Sequence, residues 1–165
     1  MKMAKISVIL NIKKPQEYKF PQANNIYYII KKLDEMTYKR FQSALFKVET
    51  ELSKRQQDYY KDAMIFLGLI EDGKTTELAK FVMSFPLKNI FIIFVKLILE
   101  NHIFYMYYKN RNLEFVETEI QNIYKLSKVT AKRRGSTVKS WIKWCDNIIK
   151  EQGISFEVNW NYAWK

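Results

Sequence analysis

The segment from Ser127 to Ile149, SKVTAKRRGSTVKSWIKWCDNII, leaves this chain the fewest choices. Val138, Trp141, Ile142, Cys145, Ile148 and Ile149 return at steps of three and four, the period of one buried helix face. Lys132, Arg133, Ser136, Thr137, Lys139, Ser140 and Lys143 fall mostly on the other sides. Thr130 is placed to cap the helix, its hydroxyl serving the free N–H groups of the first turn. Cations and hydroxyls thus crowd the N-terminal half, while tryptophans anchor the C-terminal half. That is the layout of a helix entering a DNA major groove end-on. A solvated basic face has the same composition, and Gly135 is what separates the two readings. Glycine inside a helix costs about 1 kcal/mol relative to alanine. It therefore marks a close approach, either by a phosphate backbone or by a packed helix.

The rest of the chain arranges itself ahead of this helix. Ile6, Val8, Leu10 and Ile12 alternate within residues 5–13, the period of a half-buried strand. Pro15 and Pro21 punctuate a polar link. Asn24 or Asn25 caps a helix through Glu35 with Ile26, Ile29, Ile30 and Leu33 inward, and Thr37 opens a shorter helix burying Phe41, Leu45 and Phe46. A third helix buries Leu52, Tyr59, Ala63, Phe66 and Leu67 and ends at Gly68. It leaves Ser53, Lys54, Gln56, Gln57 and Lys61 exposed. Asp72-Gly73 then turns a hairpin carrying Lys74 and Thr75. After Pro86 comes one long apolar helix over 88–108, a KNRN link, a short helix over 116–126 and the basic helix. Gly153 leads into a final strand, ISFEVNW, which is free to pair with the first.

Helix, helix, basic helix, strand thus occurs twice. The expected fold is mainly α with small β wings, as tandem winged helix-turn-helix units. The expected divisions are an N-terminal strand and link over 1–20, a first unit over 21–86, and a second unit with the C-terminal strand over 87–165.

Two segments, SKRQQDYYKDAMIFLGLIEDGKTTEL and LSKVTAKRRGSTVKSWIKWC, carry a resemblance. Together they resemble the winged-helix module that accompanies type II restriction endonucleases and related prokaryotic DNA-acting proteins. Thr130, Arg133, Arg134, Ser136, Thr137, Val138, Ser140, Trp141 and Trp144 match that module's closing motif. The wing departs from it, reading Thr76-Glu77-Leu78-Ala79-Lys80 where the family often has Leu-Thr-x-x-Gly. The resemblance implies DNA binding in a restriction or defence setting, or as a transcriptional regulator, with a nuclease or methyltransferase as possible partner.

The charge agrees with a polyanionic partner. The 165 residues carry 28 Lys and Arg against 17 Asp and Glu, a net charge of +11, although an AT-rich genome also enriches lysine. A hydrophobic content of 48% excludes a disordered basic tail. The expected contacts to double-stranded DNA are Lys54, Gln56, Gln57 and Lys61 on the third helix and Lys74 on the wing. On the closing helix they are Lys132, Arg133, Ser136, Thr137, Lys139, Ser140 and Lys143. Arg134 stands beside the buried stripe and is expected to pair internally, with a carboxylate or along the Trp141 ring.

No catalytic residue, metal or cofactor is expected. One Cys and one His cannot make a classical zinc site. The nuclease-like triplets Glu17-Tyr18-Lys19 and Asp72-Gly73-Lys74 lack, respectively, an upstream acid and an explanation other than the turn. His102 reads as a packed histidine, and Tyr59 as core. Asn89, Lys96 and Glu100 interrupt the only membrane candidate, so a cytoplasmic, nucleoid-associated protein without a membrane partner is expected. The rival reading is a non-catalytic interaction subunit that docks onto a nuclease, or dimerises, through the 88–108 helix.

Overall fold

The computed structural model describes residues 4–10, 19–45 and 52–160, and α-helix dominates them. Asn11–Lys13 of the expected first strand, Glu17 and Tyr18 of the first triplet, and the expected inward Phe46 lie outside the described residues. Strand β1 (Ala4–Leu10) falls where the alternation places it. Helix α1 (Ile26–Met36) is capped by Asn25, whose side chain accepts from the Tyr28 N–H at 3.2 Å. Thr37 does not open the next helix. It closes α1, its hydroxyl donating to the Leu33 carbonyl at 2.8 Å. The start of α2 (Gln42–Leu45) is held instead by the buried Asp34. That carboxylate accepts from the N–H groups of Arg40 and Phe41, each at 3.0 Å, and from Gln42 Nε2 at 2.6 Å. An acceptor from the preceding helix does the work of a local cap.

Helix α3 (Lys54–Phe66) begins in a reciprocal capping box between Ser53 and Gln56. Strands β2 (Ile70–Glu71) and β3 (Lys74–Thr75) form the expected hairpin. Asp72 (φ 50°) and Gly73 (φ 75°) are both left-handed, as a two-residue turn of this kind requires. The returning arm is shorter than expected. Thr76 donates its hydroxyl to the Gly68 carbonyl at 2.8 Å and caps a further helix, α4 (Glu77–Met83).

The expected long helix over 88–108 is two helices, α5 (Leu87–Leu99) and α6 (His102–Asn110). The break is at Asn101, whose buried side chain accepts from the N–H groups of Ile103 and Phe104 and so starts a new helix. Helix α7 (Leu113–Tyr124) starts three residues before the expected 116, capped by Asn112. Helix α8 (Lys128–Gln152) follows after Lys125, Leu126 and Ser127. Its cap is Ser127, which accepts from the Thr130 N–H at 3.2 Å; Thr130 lies inside the helix. Gly153 (φ 59°) ends α8 and leads into β4 (Ile154–Trp160). Strands β1 and β4 pair in parallel, Ala4 opposite Ile154 through Leu10 opposite Trp160.

One continuous core runs through residues of both expected units, from Ile26 in α1 to Ile148 in α8. The expected polar link before α1 is part of it. Phe20 is buried, stacked on Phe104 at 5.6 Å and edge-on to Tyr124 at 5.2 Å. The Ala23 carbonyl accepts from Trp141 Nε1 at 2.6 Å, and Asn24 Oδ1 accepts from Thr137 Oγ1 at 2.9 Å. Prolines and asparagines made this stretch look polar, but its backbone is a buried strap across α8.

Helices α7 and α8 form an antiparallel hairpin. An ideal Cβ on Gly135 would lie 2.7 Å from Glu117 Cγ, and these two residues are equidistant from Leu126. The two arms therefore run side by side, and the close approach that Gly135 marks is a packed helix. Gly135→Ala should lower the melting temperature, although alanine is the better helix former by about 1 kcal/mol. Combining it with Glu117→Ala should restore stability to the wild-type level or above. Thermal melts of the two single variants and the double variant measure that coupling; a single Gly135→Ala that melts above wild type would refute it.

Candidate nucleic-acid interface

The outward side of α8 is set by what the inward side buries. Val138, Trp141, Ile142, Cys145 and Ile148 face the core as expected. At 100° per residue, Lys128, Lys132, Lys139, Lys143 and Lys150 then fall within an arc of about 60°. Along the axis they span about 33 Å. All five are exposed, and none makes an ion pair among the described residues. By contrast Lys80 is paired with Glu77 and Lys96 with Glu100. The one acid on this side, Asp146, is occupied by Arg111, which donates to it through two hydrogen bonds at 2.7 Å. Among the described residues no ion pair neutralises the lysine side of the helix.

Among the expected contacts on α8, Lys132, Arg133, Ser136, Lys139 and Lys143 are exposed and Ser140 is half-buried. Thr137 is not on the outward side. It is 1% exposed and donates to Asn24 in the strap, because the strap crosses α8 at that level. Sequence reasoning missed Lys128 and Lys150, since it looked for an end-on helix and weighed the N-terminal half. Their signal was present in the spacing: Lys128 precedes Lys132 by one turn, and Lys150 follows Lys143 as Lys139 follows Lys132.

On α3 and the hairpin, Lys54, Gln56, Gln57, Lys61 and Lys74 are all exposed. The two glutamines are already engaged. Gln56 Oε1 accepts from the Ser53 N–H at 3.0 Å, and Gln57 Nε2 donates to the Leu52 carbonyl at 3.2 Å. Bidentate reading of adenine needs both ends of the amide, and each glutamine has one end committed to the start of α3. The lysines of this unit offer charge without that constraint.

Arg133 is exposed, whereas Arg134 is half-buried. The inward placement of Arg134 is as expected and a carboxylate faces it, but no ion pair or hydrogen bond joins the two among the described residues. Its Nε and Nη1 are buried without a hydrogen-bond partner, and the groups facing it are Tyr59 and Asp62 of α3. Burial draws its pKa below the ordinary arginine value, against the opposing pull of those two groups.

The remaining reactive groups are inward. Burial pushes the Cys145 thiol well up and the His102 imidazole down. Tyr124 is raised to about 12 by the same cause. Asp72 and Lys74 of the second triplet stand at the hairpin, and no three His, Cys, Asp or Glu among the described residues gather as a metal would need. No helix among the described residues is long and apolar enough to cross a membrane. The 88–108 segment, the alternative docking face, has no exposed apolar residue from Ile90 to Tyr108.

Fold and surface together define a mainly helical protein with two small two-stranded sheets and one helix side of free lysines. The chain belongs to the family described as Domain of unknown function (DUF7226), which matches residues 28–150. Neither a curated protein nor a solved structure matches it.

The two adjacent arginines should separate cleanly in thermal melts. Arg133→Ala should leave the melting temperature unchanged. Arg134→Ala should lower it by removing packed methylenes, whereas Arg134→Met keeps the stem, drops the unpartnered N–H groups and should melt at or above wild type. An Arg134→Met variant as unstable as Arg134→Ala would mean that the charge itself is held by Asp62.

Proposed function

We propose that this chain binds double-stranded DNA, with the lysine side of α8 as its principal contact. The observation that carries the reading is the run of five exposed, unpaired lysines along about 33 Å of one helix. A duplex backbone winds once around its axis in about 34 Å, so a straight run of this length meets it at separated phosphates and does not follow one strand. The hairpin with α7 holds α8 side-on to a partner, since only one of its flanks is free. Such a contact positions the protein through phosphates and carries little base information.

The finer fold reading is part of the same proposal. Residues 21–86 follow winged-helix order, with α1, α2 and α3 followed by the β2–β3 hairpin and Lys74 beside its turn. In this reading Lys54, Lys61 and Lys74 make a second phosphate contact. The second unit, 87–165, supplies α8 in place of a groove-entering helix. A restriction or defence component, or a regulator, is the setting that the resemblance to the restriction-associated module suggests, and a nuclease or methyltransferase is the corresponding partner.

Binding of a labelled duplex followed by fluorescence anisotropy across a salt series tests this. If about six phosphates are neutralised, log K should fall with log salt at a slope of about −5. Replacing Lys132, Lys139 and Lys143 together by Gln should reduce that slope by about 3 while the fold stays intact. A triple variant with the wild-type slope would remove α8 from the interface. A flat salt response in the wild type would remove DNA from the reading altogether.

A further inference from the structure

A groove of about 290 Å³ lies between α1 and α3, and none of its lining residues belongs to α8. Its volume is near the lower end of what small-molecule sites enclose, enough for one compact ligand. One wall is aromatic: Tyr28 and Tyr60 meet at 4.4 Å between ring centres, tilted by 53°. The floor is apolar, formed by the buried Met64 and Ile70. Three charged side chains also line it, Lys32, Lys61 and Asp58. Lys32 reaches Glu35 at 3.6 Å, whereas Lys61 and Asp58 make no ion pair among the described residues.

This lining is selective in its chemistry. An apolar floor beside two tyrosine rings suits a flat, weakly polar body. The unpaired Lys61 ammonium, with Lys32 shared with Glu35, calls for an anion on that body. A carboxylate accepts hydrogen bonds and cannot donate them when ionised, so the flat body must bring N–H donors. A simple acidic peptide brings the anion and backbone N–H donors but no flat body. A nucleotide meets all three: the base is flat, its edge carries N–H groups and its phosphate is anionic. Guanine has two neighbouring N–H donors on its pairing edge, which a carboxylate can take together.

We infer that the α1–α3 groove binds a nucleoside monophosphate unit, with Lys61 and Lys32 on the phosphate and Asp58 on the base edge, and with guanine preferred. The unit has two sources of the same chemistry, a free nucleotide or the 5′-phosphorylated end of a DNA strand. The inference is independent of the α8 contact, because it uses none of its residues.

Calorimetric titration of the full chain with guanosine 5′-monophosphate, guanosine and uridine 5′-monophosphate tests it. The guanine nucleotide should bind, and guanosine should bind about tenfold more weakly for want of the phosphate. Lys61→Gln should weaken the nucleotide by about the same factor, and Asp58→Asn should erase the preference over uridine 5′-monophosphate. Both residues are exposed, so the variants should fold, which a thermal melt checks.

A second arm compares a linear duplex bearing a 5′-phosphorylated single-stranded guanine overhang, whose pairing edge is free, with a covalently closed duplex of the same length. A preference for the linear form that Lys61→Gln abolishes supports the site with a strand end as its source. Equal binding of the two forms, with nucleotide binding intact, supports the site with a free nucleotide as its source. No heat at millimolar nucleotide together with no end preference overturns the inference. So does guanosine binding as tightly as its monophosphate, or Lys61→Gln leaving nucleotide affinity unchanged. The closed duplex reports on the phosphate contacts of α8 and of Lys54, Lys61 and Lys74: its failure to bind, with nucleotide binding retained, would overturn the DNA reading and leave this one standing.

Discussion

The indole of Trp141 is where the two ends of the molecule are joined. Burying an indole removes its N–H from water, and that donor must find an acceptor inside the protein. Here the acceptor is the Ala23 carbonyl, a backbone group of the strap that precedes α1. The same ring stacks on Phe104 of α6 at 5.0 Å, and Phe20 of the strap stacks on Phe104 as well, at 5.6 Å. Three separate segments are thus committed by one side chain. Once the strap is committed, Asn24 reaches Thr137 and Asn25 caps α1, so the first helix starts from a position that the last helix dictates.

That commitment also fixes the rotation of α8 about its own axis. With Trp141, Val138 and Cys145 turned inward and Gly135 pressed on Glu117, only one flank is left for long charged side chains. The lysines are therefore not a loose basic surface. They are the residue of a helix whose other sides are all used, and the Arg111–Asp146 pair removes the one carboxylate on that flank. Packing decides where the charge points, and the charge then decides what kind of partner can approach.

Much of this was legible in the sequence, and the parts that were not share a cause. The inward stripes of α1 and α8, the Asp72-Gly73 hairpin and the separate fates of Arg133 and Arg134 follow from local periodicity and turn chemistry, which one strand of text contains. What escapes is which partner each polar group takes, whether near or far in sequence. Thr37 resembles a cap, but the Asp34 carboxylate three residues before it takes the N–H groups of Arg40 and Phe41 instead. Thr137 looked outward because nothing local announces a strap across α8. Asn101 was legible in principle, since asparagine is a cap former, yet the apolar run around it suggested a single helix. In the candidate interface, the glutamines have adenine-reading chemistry in the sequence, while their hydrogen bonds to the helix start are visible only in the fold.

The parallel pairing of β1 with β4 has a consequence for the order of assembly. A parallel pair needs a crossover connection between its strands, and here that connection is the entire helical body. Ala4 cannot meet Ile154 until all of the chain between them has been made. Contacts of such long range repay their closure entropy late, and a two-stranded ladder has little stability of its own. The helices must therefore collapse first and present α5 and α8 as the surface on which the ladder closes. The pair is a latch on a finished body and cannot serve as its nucleus, so it is also the part that can open first while the rest stays folded.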